Sequence, residues 1–265
     1  MKKLTTALVI FTLIFTCFSL SAFAENENYS EEILDAKLKK MGFPDELLND
    51  LPLGAKRDVI DNEGLKFAGN EKTEFYVDEN GKLVEKIQNT GEMSIMGTIP
   101  DTDMTMNVFR VDLSSEGGKK RYRIYNSWNW LTWTWFGLTD KAGLSYNNNF
   151  ETDVTTNGEY ACATYHRQTP SGPESYVGNC GGRTGDITYG GASWNYDKQA
   201  SGFDSGYVAM NIKAKVTSGT AIILGKVVHD TSLNGTIGVQ IGWAQLGYSS
   251  SGSFDEASGQ DSWNF

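Results

Sequence analysis

The chain has 265 residues, with 23 Lys and Arg against 33 Asp and Glu and a net charge of −10. An acidic surface of that size repels phosphate backbones and anionic lipid, so nucleic acid and a membrane surface are not expected partners. The densest cationic stretch, Gly117-Gly118-Lys119-Lys120-Arg121 with Arg123, reads as the flank of a hairpin turn.

The N-terminus has the order of a secretory leader. Lys2 and Lys3 precede an apolar run over residues 7–20, and Ala22-Phe23-Ala24 places small residues at −3 and −1 of a cleavage site. Residues 1–24 are therefore expected to be removed, leaving a secreted, extracellular chain. Cys17 lies inside the apolar run after Ile14-Phe15-Thr16, without the small-residue box of a lipidated cysteine. No later stretch approaches the roughly 20 apolar residues of a membrane-spanning helix. Cleavage leaves only Cys162 and Cys180, and two cysteines in an oxidising compartment are expected to pair.

Composition then divides the remainder. Residues 25–90 carry 25 charged side chains in 66 positions and no tryptophan, whereas residues 91–265 hold all seven tryptophans and 24 of the 29 glycines. The first part predicts short helices and a hairpin. Ser30 suits an N-cap, with Glu31 and Glu32 in the first turn and Leu34, Leu38 and Met41 on one stripe. Pro44 opens a second short helix with Leu47, Leu48 and Leu51 inward, and a third runs over residues 55–62. Residues 74–77 and 82–84 flank Asp78-Glu79-Asn80-Gly81, a strong hairpin signal because Asn-Gly accepts positive φ. This part is expected to be a cap on the rest, with a removable pro-segment as the other reading.

Residues 91–265 predict strands. Val208, Met210, Ile212, Ala214 and Val216 alternate with Tyr207, Ala209, Asn211, Lys213 and Lys215, which suggests one apolar and one wet face. Residues 221–228 read as a central strand, and Ile237, Val239, Ile241 and Trp243 as the next, giving a three-stranded meander. Residues 104–113, 121–136, 159–167 and 187–194 add further strands. The expected class is mainly β: an antiparallel β-sandwich or jelly-roll-like domain over 91–265, with a small N-terminal helical segment and hairpin over 25–90.

The most unusual stretch runs from Tyr125 to Phe136 and holds Trp128, Trp130, Trp133 and Trp135. Strand parity puts Tyr122, Ile124, Trp128 and Trp130 on one face and Trp133 and Trp135 on the other. One pair is thus free to line the core while the other stacks on the apolar face of a sugar ring. Trp194 and Tyr196 are candidates for the same platform. The alternative for the two tryptophan pairs is burial, since tryptophan fills sheet cores well.

Histidine is confined to His166 and His229, and His229 precedes Asp230 at a strand end, where a His–carboxylate pair could act as a general base. The acidic, amide-rich residues 140–153, with Asn147-Asn148-Asn149, Glu151 and Asp153, carry oxygen donors of the kind that hold calcium, but match no defined loop. No cofactor is expected. No H-E-x-x-H, G-x-S-x-G or phosphate-binding glycine loop occurs. The polar tail over residues 249–265 reads as a loop anchored by Trp263 or Phe265. The functional expectation is an exported extracellular binding protein that presents aromatics to a carbohydrate or cell-envelope polymer. A secreted polysaccharide hydrolase or lyase, and a secreted protein-interaction or toxin component, are the alternatives.

Overall fold

The computed structural model describes residues 30–62, 66–77, 83–85, 103–132, 139–154, 160–178, 180, 186–188, 190–199, 201–230, 237–242, 245–250 and 254–265. The expected leader and Trp133, Trp135 and Trp243 lie outside them. Residues 34–265 form one unit, and the described part of residues 1–33 is residue 30 with the first turn of the first helix.

Three helices open the described chain: α1 (Glu31–Lys40), α2 (Asp45–Asp50) and α3 (Leu53–Asp61). Pro44 and Pro52 stand immediately before α2 and α3, where a fixed φ suits a helix entry. Strands follow as β1 (Lys66–Val77), β2 (Leu83–Glu85), β3 (Met104–Glu116), β4 (Lys119–Trp130), β5 (Thr139–Tyr146), β6 (Phe150–Thr152), β7 (Tyr160–Arg167) and β8 (Ser175–Gly178). Then come β9 (Asp186–Thr188), β10 (Gly191–Asp197), β11 (Phe203–Ala214), β12 (Thr220–Asp230), β13 (Ile237–Gly242), β14 (Gln245–Ser250) and β15 (Phe254–Asn264).

Local chemistry explains the tight turns. Gly117 and Gly118 join β3 to β4 at φ 57° and 74°, the two positive values that a two-residue hairpin turn demands and other residues resist. The two strands of the expected hairpin also pair, β1 with β2 and Tyr76 opposite Val84, while its Asn80-Gly81 turn lies outside the described residues.

The strands form an eight-stranded sheet ordered β2-β1-β3-β4-β11-β7-β8, with β6 also on β11, and a five-stranded sheet ordered β15-β12-β5-β10-β9. β13 and β14 pair separately, and all described pairings are antiparallel. The expected mainly β, layered fold is observed. The expected meander is not: consecutive strands β11, β12 and β13 belong to three different sheets, because the turn after Ala214 carries the chain from one layer to the other.

Two cores result. Met106, Val108, Ile124, Trp128, Val208 and Met210 of the large sheet face Ala142, Leu144, Trp194, Ile223 and Val227 of the smaller one. Asn126 ties the layers, donating to the carbonyls of Gly143 at 3.2 Å and Lys226 at 3.1 Å. Gly225 permits this approach, since a Cβ there would come within 2.9 Å of Asn126 Cγ. On the opposite face of the large sheet, Phe109, Tyr125, Tyr207 and Ala209 pack under Leu38, Leu47, Leu48, Leu51, Ala55 and Val59 of the helices. The face of β11 expected to be wet is therefore buried, because a helical layer covers it.

Polar contacts fix that layer. Arg123, almost fully buried, donates from Nε and Nη2 to the two carboxylate oxygens of Asp58 at 2.7 and 2.9 Å and from Nη1 to Asn211 at 2.9 Å. Tyr125 adds its hydroxyl to Asp58 at 2.9 Å and stacks on Phe109 with ring centroids 4.4 Å apart. Burial alone would lower the Arg123 pKa, but the neighbouring Tyr125 and Asp58 hold it above the usual arginine value. At the start of α3, Glu174 accepts from the Leu53 amide at 2.8 Å, placing a carboxylate at the positive helix end.

Candidate functional site

Of the six aromatics expected to form a platform, four are in the core. Trp128, Trp130, Trp194 and Tyr196 are 1–3% exposed. A ring so enclosed offers no face to a sugar. Parity is as expected for β4, with Tyr122, Ile124, Trp128 and Trp130 on one face, and that face is the one the second sheet covers. The other pair, Trp133 and Trp135, lies outside the described residues. The tight fit has a cause on the next strand: a Cβ at Gly206 would stand 2.9 Å from Cε2 and Cη2 of the Trp128 indole with Cζ2 nearer still, so only glycine lets the ring lie there.

What the fold does bring together is polar chemistry at the end of the sandwich where β4, β5 and β10 meet β12. Asp140, fully buried, stands opposite Tyr196 in the β5–β10 ladder. Its two oxygens lie 3.0 and 3.1 Å from Nδ1 of His229, and Tyr196 donates its hydroxyl to it at 3.3 Å. In the tautomer that donates from Nδ1 to Asp140, Nε2 is the acceptor of the neutral ring. Among the described residues none bonds Nε2, and the His229 side chain is 19% exposed.

Lys198 places Nζ 3.5 Å from His229 Nδ1 and 4.3 Å from the centroid of Trp130, a cation on an aromatic face. Burial pushes its pKa down, and Asp140 and Asp204 partly restore it. Asp204 in turn meets His166 Nδ1 at 2.7 Å and accepts the Gln199 amide at 3.0 Å. Burial nevertheless raises the Asp204 carboxyl above its ordinary value. Both histidines of the chain thus belong to one network, each on a buried aspartate, linked through Lys198. His229 is held by Asp140.

A second place is concave. Glu71 of β1 faces Ser258, Gly259, Gln260, Asp261 and Ser262 of β15 and Leu224 of β12 across a groove of about 430 Å³. The tail expected to be a loop is the 11-residue strand β15, paired with β12 from Phe254 to Asn264. Arg110 supports the groove from behind. It pairs with Asp261, donates to the Ala68 carbonyl at 2.7 Å and lies 4.0 Å over the ring of Trp263. Gly69, at φ 152° beside a register shift in β1, leaves room for that guanidinium, which a Cβ would approach to 2.7 Å.

The remaining expected sites resolve into structural contacts. Cys162 and Cys180 form the disulfide, with Cα atoms 5.4 Å apart. Within residues 140–153, Asp153 pairs with Arg121, while Asn147 and Asn149 donate to the Thr220 carbonyl at 2.7 and 2.8 Å. No cluster of three or more His, Cys, Asp or Glu side chains fit for a metal exists among the described residues. Sequence reasoning missed Lys198 and the groove residues. Lys198 gave no signal, but in β15 the inward set Asp255, Ala257 and Asp261 does alternate with outward Glu256, Ser258, Gln260 and Ser262.

No family model matches the chain, and no curated protein matches it. Among solved structures it is similar to one named "Pore forming protein", at a TM-score of 0.30 and 10% identity over 72% of this chain and 95% of the other. It is also similar to Clostridium perfringens delta-toxin, at a TM-score of 0.29 and 9% identity over 74% and 95%. Likeness at that level carries no functional argument.

Proposed function

We propose that this chain is an exported extracellular binding protein that holds a polyhydroxylated ligand, a carbohydrate or cell-envelope polymer, in the groove between β1 and β15. The observation that carries this is the wall of the groove: two hydroxyls, an amide and two carboxylates against a single apolar side chain, Leu224. Sugar hydroxyls donate and accept at once, and Ser and Gln do the same, whereas the carboxylates accept. Export rests on the leader-like residues 1–24.

The test is retention of the purified protein on insoluble peptidoglycan, chitin, cellulose and xylan, with the supernatant assayed for released sugar. Binding without release, weakened by Gln260→Ala with Ser262→Ala at unchanged melting temperature, is the expected result. Equal retention of the double variant would remove the groove from the account.

The His229–Asp140 pair favours a second reading, a polysaccharide hydrolase or lyase in which Nε2 of His229 takes a proton. Sugar release abolished by His229→Ala would establish it, and release that survives the substitution would dismiss it. Dye release from lipid vesicles in the same preparation would move the function to a membrane-acting secreted component.

A further inference from the structure

Resting on the groove reading above, we infer that the ligand carries free amino groups, as a hexosamine polymer does, and that uronate polymers are rejected. The inference comes from how the charges at the groove are used. Glu71 is exposed on the wall, and no described residue forms an ion pair with it. Asp261 lines the same wall with one oxygen held by Arg110.

The cations nearby are already committed. The Arg110 guanidinium is divided between Asp261 and the Ala68 carbonyl and is covered by Trp263. Lys226, whose partner across the ladder is Ser258, bonds Glu256 at 3.0 Å. Lys72, next to Glu71 in β1, reaches the opposite face and bonds Asp50 at 2.9 Å and Glu46 at 3.4 Å.

A ligand carboxylate entering the groove would therefore meet Glu71, which no described cation offsets, beside an Asp261 whose charge is already matched by Arg110, within a chain of net charge −10. An ammonium group has three donors and no acceptor, and fits a wall whose charged atoms only accept. Ser258, Gln260 and Ser262 remain for the hydroxyls.

Calorimetric titration with three oligomers of equal length tests this: glucosamine, N-acetylglucosamine and galacturonate. The glucosamine oligomer is expected to bind about fivefold tighter than its acetylated form, the upper range for an ion pair in contact with water. That preference should shrink as salt is added. Glu71→Gln should erase it, so that the amino and acetylated oligomers bind alike. Equal or tighter binding of galacturonate, or a preference that persists in Glu71→Gln, overturns the inference while the groove reading stands. Gln260→Ala, which weakens all three oligomers alike if the groove is the site, separates the two. Failure of every oligomer to bind overturns both.

Discussion

Gly54→Ala should destabilise the protein, although the same change in an exposed helix stabilises by about 1 kcal/mol. Gly54 lies in the first turn of α3 and is buried. A Cβ built there would stand 2.7 Å from Cε2 of Tyr165, with the ring Cζ and the hydroxyl nearer still. Real carbon contacts are not that short, so the ring or the helix must move. The ring has little room, since Tyr165 packs against the helical core and meets Tyr176 edge-on at 5.8 Å. Overpacking of this kind costs about 1–3 kcal/mol. Set against the propensity gain, the net loss reaches about 2 kcal/mol at most, a fall in Tm of up to about 4–8 °C for a domain of this size. Thermal and urea unfolding of the variant measure it. The same substitution in a Tyr165→Ala background should be neutral or stabilising, because the obstacle is gone. A stabilised Gly54→Ala single variant, or an unchanged effect in the Tyr165→Ala background, would refute the packing argument.

Asp58→Asn leaves Arg123 buried beside a neutral amide and should cost about 3–5 kcal/mol, read as a shift in the urea midpoint. Reducing Cys162–Cys180, which closes a loop with a sequence separation of 18, should cost about 3 kcal/mol in the same assay with and without reductant. Asp204 gives a pH signature. Its folded-state pKa is raised by burial above 3.8, so the folded state binds the proton more tightly, and this contribution is lost as pH rises through the shifted value. Unfolding free energies of wild type and Asp204→Asn, compared from pH 3.8 upward, should converge on the acid side and differ in slope above it. Parallel curves would show that the carboxyl does not titrate there.

The parts of the fold that were legible are those specified by neighbours in sequence. Gly117-Gly118 marks its hairpin because positive φ is a local demand. Trp128 and Trp130 share a face with Ile124 by parity alone. What covers a face is another matter. Tyr207 and Ala209 looked wet because their cover, Leu47, Leu48 and Ala55, lies some 150 residues away in the chain. β5, between β12 and β10, is buried along nearly its whole length, so it lacks the alternation that would have announced a strand. β15 does alternate, but its Ser, Gly and Asp content reads as a turn. The His229–Asp140 contact joins residues 89 apart, a pairing set by strand order and by no local pattern.

The bridge between Cys162 and Cys180 has a consequence for covalent topology. Residues 162–180 are a closed ring from which the two ends of the chain emerge. Residues 168–171, at its exposed far side, present the peptide bonds that a protease would meet. A single cut there opens the ring without dividing the molecule. β7 and the segment after Cys180 stay joined through sulfur, and the two pieces migrate together until a reductant is added.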